Sequence, residues 1–114
     1  MRVEWSKRVV FITGASSGIG RALAVALGKR GAHLGLLARR ADVLKEIVAE
    51  VESAGGRALS LPADVRDAGA VSLAAEELRE AFGPIDVLVA NAGVGATTDA
   101  KELKPEAVAD VINI

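Results

Sequence analysis

Residues 13 to 20 read Thr13-Gly14-Ala15-Ser16-Ser17-Gly18-Ile19-Gly20, between an apolar run ending at Ile12 and an apolar-periodic stretch starting near Ile19. The chemistry this composition suits is anion binding. Glycine has no Cβ to hold a charged group away from the main chain, and serine adds hydroxyl donors. A helix beginning at that point turns its unpaired N–H groups towards the same place. Gly14, Ser16, Ser17, Gly18, Ile19 and Gly20 are therefore the first candidate binding residues, and a phosphate-bearing ligand is their expected guest.

Spacing narrows the class of turn. A P-loop would close on Gly-Lys-Ser/Thr, which is missing, and the G-x-G-x-x-G dinucleotide fingerprint fails because Leu23 stands where its third glycine belongs. What the chain carries is Thr-Gly-x-x-x-Gly-x-Gly.

The elements that must hold this turn alternate regularly. Val9 to Ile12 reads as a buried strand, and Ile19, Leu23, Ala26 and Leu27 recur at helical spacing until Gly31 offers a stop. His33 to Ala38 predicts a second strand. Leu44, Ile47, Val48 and Val51 mark a second helix, ended by Gly55-Gly56. Ala58 to Leu61 is a third strand, closed by Pro62, which suits a sheet edge because proline donates nothing to a ladder. Asp67 caps a third helix with Val71, Ala75, Leu78 and Phe82 on its apolar face, and Gly83-Pro84 breaks it. Ile85 to Ala90 is a fourth strand, and Pro105-Glu106 opens a last helix towards Ile114.

Such alternation predicts an α/β fold: a doubly wound parallel sheet, half of a Rossmann fold, with strand order 3-2-1-4 and helices on both faces. With 114 residues, one domain spanning 1–114 is expected. Ligands of doubly wound sheets sit beyond the carboxyl ends of the strands. The glycine turn, Arg39-Arg40, Asp64 and Asn91-Ala92-Gly93 all fall there, so four strand ends are expected to face one crevice.

Bulk composition excludes several alternatives. Basic and acidic side chains number 14 and 15, and no basic run exceeds Arg39-Arg40, which argues against nucleic acid as a partner. The absence of cysteine removes disulfides and thiolate metal sites, and His33 is the only histidine, so no metal is expected. Met1 to Arg8 contains no long apolar segment, so neither a membrane nor a signal peptide is expected, and the cytoplasm is the expected location.

Three motifs in order, Thr-Gly-x-x-x-Gly-x-Gly, Asp64-Val65 after the third strand and Asn91-Ala92-Gly93 after the fourth, resemble the short-chain dehydrogenase/reductase family along the whole chain. The resemblance implies that Gly14, Ser16, Gly18, Ile19 and Gly20 surround a dinucleotide's pyrophosphate and adenosine ribose, with Thr13 holding the turn. It further implies that Asp64 accepts from the adenine amino group and that Val65 donates its backbone N–H to the ring. Asn91, Ala92 and Gly93 would line the cofactor, Asn91 also stabilising the sheet.

Cofactor choice follows from the tip of the second strand. An acid there would grip the ribose hydroxyls of NAD, whereas Arg39 and Arg40 offer two guanidinium groups to a 2′-phosphate, so NADP is favoured over NAD. Residue chemistry alone leaves Arg39-Arg40 open to being a solvated helix start, and Asp64 to being a turn residue after Pro62.

The family resembled uses Tyr-x-x-x-Lys with an upstream serine, and this sequence contains no tyrosine. Its helix asparagine would fall immediately after Ile114, Asn113 occupying the preceding polar place. No catalytic residue is therefore assigned. The expectation is the NADP-binding part of an oxidoreductase that moves a hydride between NADP(H) and an alcohol or carbonyl, truncated before the catalytic half and inactive alone. The alternative is a catalytically inactive module that self-associates through the fourth strand, which carries one acid and neither proline nor lysine to discourage pairing. Either reading makes a homo-oligomer, or a chain supplying the missing half, an expected partner.

Overall fold

Val9–Thr13 forms β1, whose five residues are all buried in the computed structural model. That model describes residues 4–91, so Ala92, Gly93 and the expected helix from Pro105 lie outside the described residues. Chain order continues α1 (Gly18–Lys29), β2 (His33–Ala38), α2 (Ala41–Ser53), β3 (Arg57–Pro62), α3 (Ala68–Phe82) and β4 (Val87–Ala90). The strands make one sheet in the order β3-β2-β1-β4, every pair parallel. The α/β class and the strand order are as the alternation of elements predicts.

Continuous burial of β1 follows from helices on both faces of the sheet. Side chains alternate along a strand, so Val10 and Ile12 meet Leu27 of α1 and Ile47 of α2, while Val9 and Phe11 meet Leu78 of α3 on the opposite face. Burying each large side chain of this kind stabilises the fold by about 1.5–3 kcal/mol. Helix boundaries are set by the expected punctuation. Gly31 adopts φ +83 just beyond α1, the left-handed geometry that lets Gly31 and Ala32 donate back to Gly28 and Leu27. At α3, the Asp67 carboxylate accepts from the Ala70 N–H at 3.1 Å.

Three strands differ in their limits from the sequence expectation, β1 by running one residue further to Thr13. β3 extends one residue further at each end because its edge position leaves the Pro62 nitrogen, which has no hydrogen to donate, without a ladder to break. β4 begins at Val87, and Asp86 just before it is already bonded to β1. Its carboxylate accepts from the Val9 N–H at 2.8 Å, and its own N–H donates to the Val9 carbonyl.

Parallel register then places the site. Thr13 lies level with Leu37 of β2 and Ala90 of β4, and Leu37 with Leu61 of β3, so all four strands end along one rim of the sheet.

Candidate functional site

The turn leaving β1 is held by main-chain hydrogen bonds before any side chain takes part. Ala15 N–H donates to the Leu37 carbonyl at 3.1 Å, tying the turn to β2, and Ser17 N–H donates to Gly14 at 3.2 Å. Gly14 has φ +67, a conformation costly for other residues. Gly20 is buried against the back of the turn. A Cβ there would lie 2.6 Å from the Gly14 carbonyl oxygen, 3.0 Å from Ala15 Cα and 3.0 Å from Asn91 Nδ2. Gly18, by contrast, has nothing within 4 Å of where a Cβ would be, so open space lies before it.

Ser17 is the N-cap of α1, a role additional to its expected place in the anion cradle. Its Oγ accepts from the Gly20 N–H at 3.0 Å and from Asn91 Nδ2 at 2.8 Å. A hydroxyl has two acceptor lone pairs and one proton, so Ser17 is left as a donor. Asn91 also donates its main-chain N–H to Thr13 at 3.2 Å, which straps the end of β4 across the turn. With no acid in the first turn of α1, the positive helix end and the Ser17 proton are both available to an anion.

An open crevice of about 320 Å³ joins this turn to the ends of β2 and β3. Of the residues singled out in the sequence, Gly14, Ser16, Ser17, Arg39, Asp64 and Val65 line it. Gly18, Ile19 and Gly20 form the adjoining start of α1, where Ile19 is 66% exposed despite its apolar side chain. Arg40 stands apart from this lining. It precedes α2 and pairs with Asp42 at 2.8 Å in water, the hydrogen bond raising the arginine's pKa and lowering the acid's. Ala92 and Gly93 lie outside the described residues.

Four lining residues were not singled out as ligand contacts: Leu37, Ala38, Ala63 and Arg66. The first three are the buried or half-buried strand ends that wall the crevice. Arg66 had a legible signal. Aspartate accepts from the backbone two residues on in an Asx-turn, so the residue at 66 is bound to sit over Asp64.

In the structure that N–H donates to Asp64 Oδ1 at 2.9 Å, while the guanidinium adds Nη2 to Oδ2 at 2.8 Å and Nε to Oδ1 at 3.1 Å. These hydrogen bonds, first from the side chain and then from the backbone, hold the Asp64 carboxyl at about 2, with the charge of Arg39 acting in the same direction. Among the described residues, no group of three or more acids, histidines or cysteines could hold a metal ion.

A dinucleotide would fit what these elements provide: a glycine-lined turn, one committed hydroxyl donor and guanidinium groups at the ends of the next two strands. Comparison with known proteins agrees. The family model described as short chain dehydrogenase matches residues 8–114. An uncharacterised oxidoreductase from Myxococcus xanthus is 40% identical over 110 residues, covering 96% of this chain and 44% of its relative.

Among solved structures, L-sorbose reductase from Gluconobacter frateurii, complexed with NADPH and L-sorbose, superposes with a TM-score of 0.71 at 40% identity. That match covers 77% of this chain and 34% of the reductase. An NADH-dependent reductase complexed with NAD gives a TM-score of 0.67 at 30% identity, over 74% of this chain and 35% of the reductase. The chain thus spans less than half the length of each of these relatives. No helix among the described residues is long and apolar enough to cross a membrane. By its turn, its sheet and its match over nearly all of its length, the chain belongs to the short-chain dehydrogenase family.

Proposed function

We propose that this chain is the NADP(H)-binding portion of an oxidoreductase that transfers a hydride between NADP(H) and an alcohol or carbonyl substrate. The observation that carries the reading is Arg39, which lines the crevice where β2 ends, with no acid in that strand tip to take ribose hydroxyls. The similar reductases named above include one complexed with NADPH and one with NAD, so the family leaves the choice between them open, and Arg39 is what supports NADP(H) here. Their names also carry forward the enzyme reading in preference to the self-associating module.

In this reading Gly18 leaves room for the pyrophosphate to approach the main chain, Ser17 donates to it, and Arg39 takes the 2′-phosphate. Asp64 and Val65 meet the adenine, and Asn91 keeps the turn in place. When bound, the nicotinamide supplies or receives the hydride. The accompanying proton needs a positioned acid or base, and this sequence has no tyrosine to serve. The 114-residue chain is therefore expected to bind NADPH without oxidising it.

Calorimetric titration with NADPH and NADH tests the assignment. A charge-assisted hydrogen bond contributes about 1.5–3 kcal/mol, so losing the one from Arg39 should weaken NADPH binding roughly ten- to a hundredfold. Arg39→Asp is expected to reverse the preference towards NADH. Unchanged NADPH affinity in that variant removes the assignment, and NADPH oxidation by the pure chain with any carbonyl compound removes the inactivity.

A further inference from the structure

The crevice holds an acid that ought to oppose the proposed guest. Asp64 lines the same cavity as Arg39, and a bare carboxylate there would repel a 2′-phosphate seated at the end of β2. The Asp64 carboxylate is not bare. Three separate donors of Arg66, the main-chain N–H, Nε and Nη2, reach its two oxygens at 2.8 to 3.1 Å. Nε also lies 3.3 Å from Oδ2, so both carboxylate oxygens face the guanidinium charge.

The clip is local and pre-formed, since both partners sit on the three-residue stretch after Ala63, and a planar fork matched to a carboxylate is the geometry arginine alone provides. Arg66 lines the crevice as well, so the pair brings no net charge to it while Arg39 contributes one positive charge.

We propose that Arg66 is a specificity-determining residue of the cofactor site, admitting the 2′-phosphate of NADP by cancelling the charge of Asp64. The inference rests on the reading of the crevice as an NADP site. Arg66 need not touch the phosphate: it acts by positioning and neutralising Asp64, so the quantity it controls is the ratio of NADPH to NADH affinity. Removing its charge leaves one uncancelled acid in the crevice, and a single unit charge near a surface is expected to change phosphate affinity by about five- to tenfold. NADH, which lacks that phosphate, should feel the change far less.

The experiment is calorimetric titration of the 114-residue wild type, Arg66→Gln, Arg66→Lys and Asp64→Asn with both cofactors, at low and at high salt. For Arg66→Gln the NADPH/NADH affinity ratio is expected to fall about five- to tenfold, with most of that loss erased by high salt. Arg66→Lys should recover most of the ratio. Asp64→Asn should raise the ratio above wild type even if both affinities drop, because it removes the opposing charge and leaves Arg66 in place.

A merely structural Arg66 would lower both affinities together in Arg66→Gln, and an unmoved ratio overturns the proposal. If the wild type itself shows no preference for NADPH, the cofactor assignment fails and this inference with it. A wild type that prefers NADPH beside an Arg66→Gln variant that prefers it equally defeats only the role given to Arg66. Arg66 is 69% exposed, so its variants are expected to fold, and a thermal melt of each confirms that the ratio is read on folded protein.

Discussion

At the β1 end of the crevice the wall is main chain: Gly14 in a left-handed turn, Gly20 pressed against it, and Ser17 and Asn91 joined by hydrogen bonds that also hold β4. At the β2 and β3 end the wall is made of charged side chains, Arg39, Asp64 and Arg66, standing in or near water. The first end uses close contact, which tolerates no extra atom. The second uses charge across solvent, which tolerates changes of shape but not of sign. One end therefore belongs to the fold as much as to the ligand, while the other can be retuned at little cost to folding.

The largest effect that could break this contrast is expected from Gly20→Ala. Its new methyl would meet Gly14 O and Ala15 Cα, main-chain atoms that cannot swing aside. Overpacking of this kind costs about 1–3 kcal/mol. For a domain of this size that lowers the melting temperature by roughly 4–8 °C per kcal/mol. NADPH binding should fall along with stability, since the turn itself must shift. A variant that melts like the wild type would show that the turn is not the rigid end.

Gly18→Ala sharpens the same point with a smaller effect on one axis only. Open space lies before Gly18, so its stability should stay within about 0.5 kcal/mol of wild type. The pyrophosphate, however, is expected to approach the main chain there, so NADPH affinity should drop about tenfold or more. Equal affinity would place the ligand elsewhere. Ser17→Ala comes next. It deletes an N-cap acceptor, which costs about 0.5–2 kcal/mol, and leaves the Asn91 amide without its acceptor. A thermal melt checks it, and a loss below that range would mean that main-chain bonds alone secure the turn.

The main-chain end was the legible one. Glycine spacing between a buried strand and a helix start announces a tight turn whatever surrounds it, and the alternation of Val9–Ile12, the α1 stripe and the later repeats dictates the sheet order. What the turn pattern does not reveal is that Asn91, 74 residues beyond Ser17, closes the hydrogen-bond account of its hydroxyl. The charged end was less legible. Arg39 and Arg40 are identical in type and adjacent in sequence, yet only Arg39 lines the crevice, because Arg40 stands at the start of α2 beside Asp42. Asp64 was legible as a residue but not in its state, which depends on a neighbour two positions away. Side-chain partners on an exposed rim are chosen by local geometry that no periodicity encodes.

The smallest effect tests whether the charged end is pre-formed. Asp64 is 35% exposed on the open rim of the crevice and screened by solvent, so its hold on the fold is slight, but its direction is defined. Hydrogen bonds from the Arg66 side chain, then from its backbone N–H, lower the carboxyl from its ordinary 3.8 to about 2. An acid whose folded value is depressed stabilises the fold above its unfolded value, and that stabilisation disappears as pH falls through the folded one. The gap in melting temperature between wild type and Asp64→Asn should therefore stay constant from about pH 8 to about pH 5, and close only between about pH 4 and pH 2. Asparagine keeps the Asx-turn acceptor, so the gap reads charge alone. If the gap did not change between about pH 5 and about pH 2, Asp64 would be an ordinary acid in water, and the rim would be two loose charges instead of the neutral pair that lets Arg39 set the sign of the crevice.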